Sequence, residues 1–189
     1  MAENDQSAER KRATDLILES GARRKLIVAG PGTGKSFTFR LLLADNGGPN
    51  LAITFINALA SDLAAVLGDS ADAYTFHGFC RSLLHRLGVG GVSNGVDYYP
   101  SLLVVQADDL SRLDSEVVSN RDIERDFHYL DTASGRIDSA LRSGNYYDAV
   151  GHIDSVYRVL KYLQANPDAI PHYAQVVVDE YQDFSLLEV

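Results

Sequence analysis

The sequence predicts an α/β fold: a parallel sheet flanked by helices, its order interrupted by a helical insertion. Three observations carry this. Short apolar runs alternate with amphipathic stretches over residues 26–87. A glycine-rich loop, Ala29-Gly-Pro-Gly-Thr-Gly-Lys-Ser36, joins the first run to a helical pattern. One more apolar run, Val176-Val-Val178, returns after a long, mainly helical stretch and ends in two carboxylates.

Residues from about Ser7 to Ser20 place Ala13, Leu16 and Ile17 on one helical face, and Gly21 stops it. Leu26-Ile-Val-Ala29 reads as a short buried strand. Lys35 to Ala44 is helical through Phe39, Leu42 and Leu43. Asp45-Asn-Gly-Gly-Pro-Asn50 is turn chemistry. Leu51 to Phe55 is a second strand, Ala58 to Leu67 a second amphipathic helix. Ala73 to Phe76 forms a short third strand before a helix over Phe79, Leu83 and Leu84. Gly88 to Gly95 is a flexible connection. Beyond Pro100, Ile123, Phe127 and Leu130 share one helical face. Tyr146, Val150, Ile153, Tyr157 and Leu160 form a longer stripe that Asn166-Pro167 ends. No strand signal interrupts until Val176. The domain reading is therefore 1–87 as the first part of the α/β body, 88–172 as the helical insertion, and 173–189 as its returning strand.

The 189 residues, 46% hydrophobic and 23% charged, suit a globular chain with a real core. No apolar run approaches the ~20 residues that span a bilayer. The polar, acidic start, Met1-Ala-Glu-Asn-Asp5, is not that of a secretory signal. A single cysteine, Cys80, excludes an internal disulfide and fits a reducing, cytoplasmic setting. The net charge of −9 argues against binding nucleic acid by bulk attraction, so any such contact must be local. Residues 101–170 hold seven Lys/Arg against twelve Asp/Glu, so the insertion is no basic clamp.

The glycine-rich loop fits the P-loop pattern with Ala29 in place of the first glycine. Gly32 and Gly34 let backbone N–H groups approach phosphate oxygens, and the helix N-terminus beyond adds to that anion nest. Ala29, Gly30, Pro31, Gly32, Thr33, Gly34, Lys35, Ser36 and Phe37 are the expected nucleotide contacts. Lys35 should reach the β- and γ-phosphates of ATP, and the Ser36 hydroxyl should ligate Mg²⁺. Val176 to Val178 suits a central parallel strand, covered on both faces. It delivers Asp179 and Glu180 to the carboxyl end of the sheet, where such folds bind ligands. Asp179 is the expected Mg²⁺ partner and Glu180 the expected general base.

Four segments in order resemble the UvrD/Rep-type superfamily 1 DNA helicases. Asp179-Glu-Tyr-Gln-Asp183 resembles their Walker B sequence, which implies that Gln182 senses the γ-phosphate. Ile53-Thr-Phe-Ile-Asn-Ala-Leu-Ala60 looks like motif Ia and Thr75-Phe-His-Gly-Phe-Cys80 like motif Ib. The resemblance implies a RecA-like 1A domain, here incomplete, with a 1B-like helical insertion. It also implies contacts to single-stranded DNA by Thr54, Phe55, Asn57, Thr75, Phe76 and His77. An aromatic there can stack on a base. Read from the residues alone, Phe55 and Phe76 serve equally as core, and His77 and Cys80 as buried residues.

Departures from the family pattern bear on activity. Phe37 stands where many members carry Arg, and Ala58 replaces the Lys of motif Ia. Gln6 is further from Lys35 than the family's adenine-reading Gln. Nothing up to Val189 matches motif III, the second RecA-like domain or its arginines, which implies weak or absent hydrolysis by this chain alone. The expectation is thus the N-terminal ATP-binding part of a UvrD-like, ATP-dependent helicase, with a missing C-terminal half or a protein partner. The alternatives are a truncated, non-translocating module that binds a partner, or a stand-alone P-loop ATPase. A GTPase is disfavoured, since no Asn/Thr-Lys-x-Asp sequence is present.

Overall fold

A computed structural model describes residues 2–30, 32–44, 47–89, 97–113 and 118–189. Within the first helix, side chains are described from residue 8 onward. Pro31, the Asp45-Asn46 pair and residues 90–95 of the glycine-rich connection lie outside the described residues, as does the Gln6 side chain.

Helix α1 (Ala2–Glu19) precedes the glycine-rich loop, and α2 (Lys35–Ala44) follows it. Strand β1 (Asn50–Thr54) leads to α3 (Asn57–Leu67); β2 (Asp72–Thr75) leads to α4 (Phe76–Leu87). The sheet is completed by β5 (Gln175–Val178). The order is β2-β1-β5, and both pairings are parallel, with Ala52 opposite Ala73 and Val177. Helices separate these strands in sequence, as parallel crossovers require. Asn50 fixes where β1 begins: its side-chain amide donates to the carbonyls of Leu43 and Ser70, both at 2.9 Å.

Two cores result. Ala52 and Val177, register partners on one sheet face, pack with Phe39 and Leu43 of α2 and Leu63 and Leu67 of α3. The larger core is helical. It joins Cys80, Leu83 and Leu84 of α4 to α5 (Leu102–Leu113), α6 (Asn120–Tyr129), α7 (Arg136–Tyr146) and α8 (His152–Ala165). Thus α4 follows β2 in the α/β order yet buries its apolar face among the inserted helices. Local signals fix these helices. Thr75 caps α4 through its hydroxyl, which accepts from the Gly78 N–H. Ser119 and Asp122 form a reciprocal capping box at the start of α6. Asp126, almost wholly buried, accepts two hydrogen bonds from Arg136 and one from Ser134. Cys80 is 4% exposed, and burial pushes its thiol up to about 12.

Three expectations are corrected. Leu26–Ala29 forms no strand: Leu26 is 80% and Val28 91% exposed, and only Ile27 touches the smaller core. Four residues gain little from a ladder unless neighbours bury them. Most described side chains of α1 are themselves exposed and do not cover the segment. The stripe from Tyr146 to Leu160 is split between two helices. Asp148 takes a left-handed φ of 51°, and the strand β4 (Ala149–Val150) precedes α8. Strand signals do interrupt the insertion, because β4 pairs in parallel with β3 (Asp97–Tyr98). Among the described residues, no helix is long and apolar enough to cross a membrane.

Candidate functional site

The carboxyl ends of β1 and β5 face the start of α2, and there the two distant motifs meet. Gly32 and Gly34 adopt φ values of 70° and 90°, which a side chain strongly disfavours. The Thr33 hydroxyl donates to the Gly30 carbonyl at 2.7 Å, closing the turn. The first helical bond of α2 runs from the Thr38 N–H to the Gly34 carbonyl. Gly30, Gly32, Thr33, Gly34 and Ser36 are all exposed, so the loop lies open to an entering anion. Ala29 is half-buried and Phe37 is exposed.

Strand β5 carries the other half. Its ladder with β1 extends one residue further, the Asp179 N–H donating to the Ile53 carbonyl at 2.8 Å. Glu180 then turns left-handed, at φ 53° and ψ 43°, and starts a short 3-10 turn over Tyr181–Asp183. That turn points the carboxylate back toward α2. Lys35 Nζ lies 2.7 Å from Glu180 Oε1 and 3.8 Å from Asp179 Oδ1, across 145 residues of chain in the first case. The Gln182 side-chain amide donates to the other oxygen, Glu180 Oε2, at 2.6 Å. The hydrogen bond to Glu180 holds the Lys35 ammonium above its ordinary 10.5. The same bond, aided by Gln182, holds the Glu180 carboxyl below its ordinary 4.5.

The donors at this place are a lysine, two carboxylates, a serine hydroxyl and open backbone amides. Such an all-oxygen set beside an ammonium suits a hard cation carried in by a polyphosphate, with water completing its shell. One further atom fits a site that takes up polar ligands. Thr54, at the end of β1, is wholly buried, yet its hydroxyl has no hydrogen-bond partner. Among the described residues, no cluster of three or more His, Cys, Asp or Glu forms a protein-only metal cage.

The residues expected to meet a nucleic-acid strand fare unequally. Thr54 has no exposed surface, so its side chain does not present to a bound strand; that expectation is corrected. Its side chain returns to the sheet face that Ala52 buries against α2 and α3, because strand residues alternate. Phe55 and Phe76 are half-buried in an aromatic cluster with Phe184, at centroid distances of 4.4 and 5.2 Å. Thr75 uses its hydroxyl on the α4 cap. His77 stacks on His152 at 3.6 Å, with Glu188 3.7 Å from its Nε2. Burial, and then His152, lower its pKa to about 4, so its ring is neutral at pH 7. Asn57, at the start of α3, is exposed.

Sequence reasoning missed Phe184, Leu187 and Glu188. Phe184 stacks on Tyr181 and packs tilted against Phe55 and edge-on to Phe76. Leu187 enters the helical core, and its N–H donates to the His128 carbonyl. The segment after Glu180 therefore ties the carboxylates to the helical core. The one available signal was the aromatic next to Asp183.

A family model described as an AAA domain matches residues 13–189. No curated protein matches the chain.

Proposed function

The chain belongs to the AAA domain family, whose P-loop domains bind ATP with Mg²⁺, and from that premise we propose that it is the ATP-binding part of a UvrD-like DNA helicase. The observation that carries the reading is the convergence of Lys35 with Asp179 and Glu180 at the carboxyl end of a parallel sheet. A glycine turn followed by a helix could be incidental. A turn whose lysine reaches both carboxylates that follow the last strand supports a phosphate site with metal ligands and a base beside it.

The geometry supports the following roles. The amides of Gly32 to Lys35 bind the phosphates, and Ser36 with Asp179 holds the magnesium. Held there, Mg²⁺ would supply positive charge to offset the negative charge of the phosphoryl groups. Before nucleotide enters, Lys35 is committed to Glu180. An incoming triphosphate competes for that ammonium, and its withdrawal frees Oε1 of Glu180. Gln182 keeps the other oxygen and so holds the carboxylate in its left-handed turn. Freed in this way, Glu180 can take a proton from an attacking water. A carboxylate still paired with Lys35 is a poor base, so Glu180 acts only once Lys35 has turned to the phosphates.

Single-stranded DNA is the proposed second ligand, met by Phe55, Phe76 and the exposed Asn57 next to the same strand ends. Stacking on such rings contributes about 1–3 kcal/mol per base without sequence preference. Translocation in enzymes of this kind needs a second RecA-like domain working against this one.

Two experiments address the two ligands. Mg-ATP should raise the thermal midpoint of the wild-type protein, and Lys35→Ala should abolish that protection; equal protection in both refutes the phosphate assignment. Affinity for single-stranded DNA should fall with Phe55→Ala and decline steeply with salt. No affinity even at low salt would favour a module that binds a protein partner.

A further inference from the structure

Among the described residues at the site, Thr54 is the one whose buried polar group has no partner. Buried hydroxyls are paired in the great majority of cases, and an unpaired one is a net loss to folding. The rest of β1 after Asn50, Leu51-Ala-Ile53, is apolar and buried, so a valine would serve the core better at this position.

Its surroundings are fixed by the strand period. Ala52 and Val177 are register partners and share the core under α2 and α3. Two residues further on, Thr54 and Asp179 return to that same face. The bond from the Asp179 N–H to the Ile53 carbonyl keeps the ladder intact to this level. The two side chains are therefore neighbours on adjacent strands, about 4.8 Å apart at the backbone. Helices α2 and α3 cover this face, and the first residue of α2, Lys35, is 3.8 Å from Asp179. On the other flank Thr54 meets Thr75, its partner on β2, whose hydroxyl already accepts from the Gly78 N–H. Of the two threonines, only Thr54 has its hydroxyl uncommitted.

We propose that Thr54 is a positioning residue for the magnesium site, its hydroxyl donating to the Asp179 carboxylate once nucleotide has drawn Lys35 away. The inference rests on the nucleotide-binding reading above. At rest Asp179 leans toward Lys35, and the hydroxyl waits without a partner. With Lys35 on phosphate, Asp179 loses its nearest cation, and Thr54 fixes the carboxylate for the water shell of the metal. The hydrogen bond constrains one oxygen, so the other faces the metal.

The test compares ATP affinity in Mg²⁺ with ATP affinity in EDTA, by calorimetry on the intact chain. Wild-type protein should bind more tightly with the metal. Thr54→Val should cut that metal-dependent gain by about tenfold and leave the EDTA affinity unchanged. Its apo thermal midpoint should hold or rise, since an unpaired hydroxyl is replaced by a methyl. Thr54→Ser should keep the gain. Thr54→Ser and Thr54→Ala both lose the methyl and differ only in the hydroxyl, so they repeat the comparison should Thr54→Val fail to fold. A gain preserved within twofold in Thr54→Val or Thr54→Ala, or equal losses with and without metal, overturns the proposal. Absence of any ATP binding by the wild-type protein would instead overturn the nucleotide reading, and this inference with it.

Discussion

The helical body and the sheet body bury their residues in opposite ways. Among the inserted helices, Ile123, Phe127, Ile137 and Ala140 are wholly buried, and the Asp126–Arg136 pair is sealed among hydrogen bonds. On the sheet, the β5 edge away from β1 has no partner strand among the described residues, and Val176 is 47% exposed. The glycine turn beside it is open and its preceding segment stands in solvent. The difference teaches where each kind of work is done. Rigid packing belongs to the helices, while the sheet end stays open where a charged ligand must enter and leave. Low local density is expected of a binding loop.

The largest blow to this contrast should come from Phe127→Ala. It removes a wholly buried ring from the helical core and should cost about 3–5 kcal/mol, read from denaturant unfolding. A cost below about 1 kcal/mol would mean that this core is not the stable part.

A pH scan sharpens the seam between the bodies. His77 has an ordinary pKa of 6.5, lowered in the fold to about 4 by burial and His152, against an opposing pull from Glu188. Between these values the unfolded chain binds a proton that the folded chain refuses. Stability should therefore be full above about pH 6.5 and fall as the pH drops toward 4. His152 is shifted the same way, chiefly by burial, and adds to the slope. His77→Gln should flatten the thermal midpoint over that window; an unchanged slope would place the cause elsewhere.

The smallest effect is expected at the open side. Val28→Lys and Val176→Lys alter exposed positions and should shift stability by no more than about 0.5 kcal/mol. They should nonetheless raise the concentration at which the protein stays monodisperse in light scattering, because charge blunts an unpaired edge.

What could be read from sequence divides along the same line. Helix α2, the glycine turn that carries Lys35, and the apolar strand β5 with its two carboxylates are legible because each is written locally. Glycines, a lysine and a β-branched run sit at fixed short spacings. Leu26–Ala29 was misread because a strand is completed by a neighbour, and no residue within it names that neighbour. Thr54 was misassigned for a related reason. Motif position suggested a strand-facing role, whereas the strict alternation from Ala52 turns its side chain to the sheet face under α2 and α3. The break before α8 was missed because spacings of four and three carried the apolar stripe through Asp148 and Gly151. Gly151 was a signal, and the left-handed turn at Asp148 was not.

Cys80 sits on α4, the helix that belongs to the sheet by order and to the helices by packing. Its thiol, shielded and held almost wholly protonated, should resist alkylating reagents while the seam is shut. Its modification rate is thus an internal clock for separation of the two bodies, readable by mass spectrometry without any engineered label. Comparing that clock with and without Mg-ATP would show whether filling the open end loosens the closed one.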